Sequence, residues 1–142
     1  ELNVNLKIVG SGPDEGRLKN LSTNNIEFLG KVDREELRDL YQNCQALIVT
    51  QEEDFGIAAV EAQACGRSVI AYDRGGPAET VIDGQTGLLF EKQTKQSLKD
   101  AIDSHSRVKW ESTACRKNSL RFSQAAFVNS LKEKIKAYAR YS

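Results

Sequence analysis

Short apolar runs, most closed by a turn residue, alternate with amphipathic stretches along most of the chain. Leu6-Lys7-Ile8-Val9-Gly10 reads as a strand closing on a turn. Ser11-Gly12-Pro13 is a turn, and Pro13 suits the first turn of a helix over 14–21. Thr23-Asn24-Asn25 breaks that helix, and Ile26-Glu27-Phe28-Leu29-Gly30 is a second strand. Asp33 is a good N-cap with Glu36 at capping-box distance, and Leu37, Leu40 and Tyr41 follow at helical spacing. Ala46–Thr50 is a third strand, and Gln51–Gly56 an acidic loop. Ile57–Ala64 is a helix that stops before Gly66. Ser68–Tyr72 is a fourth strand, and Gly75-Gly76-Pro77 opens a short helix ending near Ile82. After the turn at 83–87, Leu88-Leu89-Phe90 is a fifth strand, followed by helices around 95–104 and 125–138.

The strands read as continuous apolar runs rather than alternating ones. This is the mark of a parallel sheet covered on both faces, so the fold class is α/β, Rossmann-like, with a mostly parallel sheet and helices on both faces. No internal repeat or low-complexity linker appears, and 1–142 reads as a single domain.

Charge narrows the partners. Twenty basic and twenty acidic residues balance, so no global field attracts nucleic acid. Three cysteines, Cys44, Cys65 and Cys115, without CxxC spacing, give neither a disulfide framework nor a zinc site. They read as reduced thiols of a cytoplasmic protein. Methionine is absent even at position 1, and the pattern is already under way at Glu1, which reads as a piece of a longer polypeptide.

The chemistry concentrates in Glu53-Asp54-Phe55-Gly56-Ile57-Ala58-Ala59-Val60-Glu61. This segment follows a buried strand and opens a helix, where ligands of doubly wound sheets collect. A helix N-terminus there presents unpaired N–H groups and partial positive charge, a ready phosphate site. Gly56 has no side chain to keep a ligand from the backbone. Glu53 and Glu61 bracket the start, and a carboxylate can accept hydrogen bonds from both hydroxyls of a vicinal diol. Acids near a helix start also serve simply to complement its dipole. Gly75-Gly76-Pro77 repeats the strand–glycine–helix logic, either to shape a sugar pocket or as a tight connection. Gly10-Ser11-Gly12 lacks the third glycine of a dinucleotide fingerprint at the required spacing.

The stretch EDFGIAAVEAQACGRSVIAYDRGGPAETVIDGQTGLLF resembles the retaining glycosyltransferases of family 4, which have the GT-B fold and two glutamates separated by seven residues, as Glu53 and Glu61 are. The likeness extends from Lys7-Ile8-Val9-Gly10-Ser11-Gly12-Pro13 to the final helix, and its wording is most similar to GDP-mannose-dependent mannosyltransferases of polysaccharide assembly. The resemblance implies the C-terminal donor-binding half of a GT-B enzyme, with a nucleotide-sugar donor and a saccharide or lipid-linked acceptor. It places Glu61 on the donor ribose and Glu53, as the catalytic contact, on the transferred sugar. The backbone N–H groups of Phe55, Gly56 and Ile57 would meet sugar and phosphates. The base would lie near Lys31 and Val32, and Gly12 would leave room for the nucleotide. Ser68, either Ala58 or Ala59, and Pro77 depart from the subgroup's usual residues.

The resemblance also implies parts outside this sequence: an acceptor-binding N-terminal domain, a first strand between those at 6–9 and 46–50, and an Arg and a Lys that neutralise the diphosphate. The fragment alone is expected to be inactive. No Asp-x-Asp pair occurs, in keeping with a metal-free site and no cofactor. Other readings stay open: another GT-B enzyme such as a sugar-nucleotide epimerase or a phosphorylase, or a non-catalytic nucleotide-binding or scaffold domain. His105 reads as a surface histidine in a polar connection. The final helix spaces Phe127, Leu131, Ile135 and Tyr138 by three and four, with Lys132, Lys134, Lys136 and Arg140 nearby. That stripe either packs on a core, here or on the absent N-terminal domain, or touches an anionic membrane at its cytoplasmic face as a peripheral contact.

Overall fold

The five apolar runs form five strands, joined in parallel ladders with helices between them. The computed structural model describes residues 4–139. In chain order these are β1 (Leu6–Val9), α1 (Glu15–Leu21), β2 (Ile26–Gly30), α2 (Arg34–Asn43), β3 (Ala46–Val49), α3 (Ile57–Ala64), β4 (Ser68–Tyr72), α4 (Gly75–Thr80), β5 (Gly87–Phe90), α5 (Lys95–Ser106), α6 (Ser112–Ser119), a 3-10 turn (Leu120–Phe122) and α7 (Gln124–Ala139). The contacts divide the chain into two units, 1–40 and 41–142.

In the first unit β1 pairs parallel to β2, Leu6 opposite Ile26 and Ile8 opposite Phe28. Exposure alternates along β1, and Lys7 reaches across the ladder to Glu27 at 3.6 Å. Coverage here is thinner than a continuous apolar run predicts. Asp33 caps α2 as its position foretells, its Oδ1 accepting from the Glu36 N–H at 2.9 Å.

The second unit is built around β4. The order is β3-β4-β5, all parallel, and β4 is buried at four of its five positions. One face sets Ile70 and Phe90 against Ala101, with Ile48, Tyr72, Leu98 and Ile102 packed around them. Fully burying a side chain such as Ile70 contributes roughly 1.5–3 kcal/mol. The alternate β4 residues, Val69 and Ala71, point to the opposite face. There α3 packs through Ala59 and Ala62, both fully buried. Side chains this small let the helix lie close to the sheet.

Two expectations need correcting. The region after residue 106 holds a helix, α6, that no apolar stripe announces. Its buried residues are Cys115, Asn118 and Ser119. They are held by hydrogen bonds: Asn118 Nδ2 donates to Gln63 Oε1 at 2.6 Å and to the Thr80 carbonyl at 2.8 Å. Gln63 Nε2 donates to the carbonyls of Ala59 and Thr80 at 3.1 and 3.0 Å. The network ties α3, α4 and α6 together.

His105 is buried rather than on the surface. α5 runs two residues past the expected end, which puts His105 on the stripe of Leu98, Ala101 and Ile102. Its Nε2 lies 2.7 Å from Ser68 Oγ, and its ring stacks on Trp110 with centroids 4.9 Å apart. Burial holds its pKa below the ordinary 6.5. The folded protein therefore refuses a proton that the unfolded chain accepts. Stability is present in full above pH 6.5 and is lost as pH falls from there through the lower folded value, by at most about 1.4 kcal/mol per pH unit. Urea midpoints measured between pH 7.5 and 5 are expected to fall in the wild type and to fall less in His105→Gln. Parallel curves for the two proteins would refute the assignment.

The apolar stripe of α7 does not pack on a core within the described residues. Phe127, Leu131, Ile135 and Tyr138 are all exposed. Arg140, read with this helix, lies outside the described residues. Among those residues no helix is long and apolar enough to cross a membrane.

Candidate functional site

The loop between β3 and α3 leaves the carboxyl end of β3, where a parallel strand delivers its chain to the ligand side of a sheet. Gly56 caps α3 with φ +77°, a left-handed conformation that favours glycine. A Cβ there would crowd the Pro77 ring, 3.1 Å away. The conformation of Gly56 and the nearness of Pro77 favour glycine at this position, whatever else approaches its backbone. The first amides of α3, at Ile57 and Ala58, are among those an α-helix leaves without an internal acceptor.

Gly75 and Gly76 seat this loop. The Gly76 N–H donates to the Glu53 carbonyl at 2.6 Å. A Cβ on Gly75 would overlap that same carbonyl oxygen, and one on Gly76 would overlap the Phe55 backbone. The second glycine turn therefore sets the path of the acidic loop through backbone contact. Phe55 remains about half exposed, its ring edge-to-face with Phe122 at 5.7 Å.

The two glutamates have different surroundings. Glu53 is half-buried in the loop, and its Oε1 accepts from Gln51 Nε2 at 2.6 Å. Glu61 is exposed, one helical turn after Ile57 and on the same face of α3. Its Oε2 accepts from the Tyr41 hydroxyl at 3.2 Å. Tyr41 is buried. Burial, and then the negative charge of Glu61, push the phenol pKa far above its ordinary 10.0 and keep the group a donor. From the sequence, Tyr41 belongs only to the apolar stripe of α2. The available signal was its hydroxyl, which on a buried face needs a partner.

Gly12, Lys31 and Val32 follow the carboxyl ends of β1 and β2 in the first unit. There Gly10 and Gly30 adopt positive φ, and the Gly10 N–H donates to the Gly30 carbonyl at 2.6 Å. Gly12 and Lys31 are exposed, and Val32 is half-buried. A Cβ at Gly12 would meet nothing within 4 Å, so packing does not demand glycine there. In the second unit, one hollow lies at the ends of β4 and β5 between Asp73, Arg74, Glu91 and Lys92. A second runs beside α5 from Asp83 to Ser104. Neither is lined by Gly56 or Glu61.

Comparison with known proteins settles the family. The model of glycosyl transferases group 1 matches residues 1–122. The chain belongs to that family. An uncharacterized glycosyltransferase of Methanocaldococcus jannaschii is 37% identical over 107 residues, 72% of this chain and 30% of that protein. The alpha-1,3/1,6-mannosyltransferase ALG2 of Dictyostelium discoideum is 42% identical over 73 residues, 51% of this chain and 17% of that one. The chain thus spans less than a third of the length of either relative. Among solved structures, sucrose-phosphate synthase from Thermosynechococcus elongatus superposes with a TM-score of 0.77 at 28% identity, covering 96% of this glycosyltransferase chain and 39% of the synthase. The parallel α/β architecture of this group 1 chain is accordingly that of the GT-B glycosyltransferases.

Proposed function

We propose that this chain binds the nucleotide-diphosphate sugar donor of a retaining, metal-independent glycosyltransferase, with GDP-mannose as the favoured donor. The observation that carries the reading is the start of α3: a glycine-capped helix N-terminus at the end of a parallel strand, with an exposed carboxylate one turn along. The N–H groups of Phe55, Gly56 and Ile57 take the diphosphate and sugar oxygens, where the helix dipole favours negative charge. Glu61 takes the ribose hydroxyls and Glu53 the transferred sugar. In the reaction the anomeric carbon–oxygen bond breaks, the nucleoside diphosphate departs with the electron pair, and an acceptor hydroxyl forms the new bond and loses its proton. Donors fixed at the departing phosphate stabilise the charge that develops there. The mannosyltransferase among the relatives and the wording of the EDFG segment support mannose.

Calorimetric titration with GDP, UDP and ADP, on the wild type and Glu61→Ala, tests this. GDP is expected to bind tightest. Glu61→Ala should lose about 1.5–3 kcal/mol, roughly ten- to a hundredfold in affinity. Equal affinity in the two proteins would reject the ribose role, and tighter binding of UDP would reject the donor preference.

A further inference from the structure

We infer that Tyr41 is a positioning residue for nucleotide recognition: its hydroxyl, donating to Glu61 Oε2 at 3.2 Å, holds that carboxylate in the orientation that receives a vicinal diol. The inference rests on the reading of Glu61 as the ribose contact.

The geometry is asymmetric in a useful way. Glu61 is exposed on α3, and an unrestrained glutamate on a helix surface samples several rotamers. Ordering it on binding costs conformational entropy. The Tyr41 ring is fixed beforehand, since only 9% of the residue is exposed. A hydrogen bond from a buried ring to an exposed carboxylate therefore restrains the mobile partner against the rigid one. It occupies one oxygen only. Oε1 of Glu61 takes no hydrogen bond from the described residues, so the pair presents a carboxylate with its plane set and one oxygen open. A phenol held protonated by its surroundings cannot become a competing anion beside Glu61. Pinning a recognition group before the ligand arrives strengthens binding by removing the ordering cost.

The test is titration of the full chain with GDP and with its 2′,3′-dideoxy analogue, in the wild type, Tyr41→Phe, Glu61→Ala and the double variant. Tyr41→Phe keeps the ring and removes the hydroxyl. It is expected to weaken GDP by roughly three- to tenfold and to leave the dideoxy analogue unchanged. The double variant is expected to bind GDP no more weakly than Glu61→Ala. If Glu61→Ala weakens GDP while Tyr41→Phe does not, the role of Tyr41 is refuted and the ribose reading stands. If Glu61→Ala has no effect, the ribose reading fails and this inference fails with it. Equal weakening of both ligands by Tyr41→Phe marks a purely structural tyrosine and overturns the proposal. Should Tyr41→Phe not fold, Glu61→Asp draws the carboxylate back from the hydroxyl while keeping its charge. It is expected to lose the discrimination between ribo and dideoxy ligands, and full retention would overturn the proposal.

Discussion

Gln63→Glu is expected to destabilise the protein by about 3–5 kcal/mol at pH 7.5, the cost of a buried charge with no partner. Gln63 is fully buried, and its Nε2 donates to two carbonyl oxygens, those of Ala59 and Thr80. A carboxylate there sets an acceptor against two acceptors. Its other oxygen keeps only the bond from Asn118 Nδ2. The variant's new carboxyl has its folded pKa raised by burial and by the facing carbonyls. A group shifted upward contributes stability below its unfolded pKa and loses it as pH rises through the folded value. Stability should therefore recover as pH falls toward the ordinary glutamate range, opposite in sign to the loss that His105 imposes on the wild type. Urea melts at pH 7.5 and 5 measure both. Wild-type stability at pH 7.5 would show that the network is dispensable.

Gly76→Ala is expected to cost about 3 kcal/mol, at the upper end of the range for forcing extra volume into a packed region. The added carbon would fall on the Phe55 backbone, which is not the movable end of a side chain. Either α4 or the acidic loop must shift, and the loop carries the N–H groups assigned to the donor. We expect a thermal midpoint lowered by several degrees, and GDP affinity weakened at least tenfold even where the variant is fully folded. Ala78→Gly, in the same short helix, is the control for a general loss of α4. A stable Gly76→Ala protein with unaltered GDP binding would mean that this turn does not hold the loop in place.

Much of the architecture could be read from the chain because its signals are local. The strands at 26–30 and 68–72 and the helix at 57–64 lie at the residues their apolar runs and flanking glycines indicate. Asp33 forms its cap because capping needs only residues three apart. The resemblance carried by Glu53, Gly56 and Glu61 is matched by the family of the chain. What could not be read depends on residues far apart in sequence. α6 buries Cys115 and Asn118, whose partners at 63, 80 and 86 are invisible to any periodicity. His105 looked exposed because the helix seemed to end before it, and only the packed sheet reveals Ser68 opposite. Tyr41 and Glu61 are twenty residues apart, and their pairing appears only in the folded second unit that holds both. The glycines at 75 and 76 announced a turn, yet the loop they brace lies on the preceding connection.

The polar seam behind α3 also bears on how such a domain can diverge. A greasy interface tolerates drift one residue at a time, because a slightly larger neighbour excuses a slightly smaller one. The junction of Gln63, Thr80 and Asn118 is fixed by the direction of its donors and acceptors, so a lone change at 63 or 118 strands its counterpart whatever its size. Relatives that differ at one of these two positions should differ at the other as well.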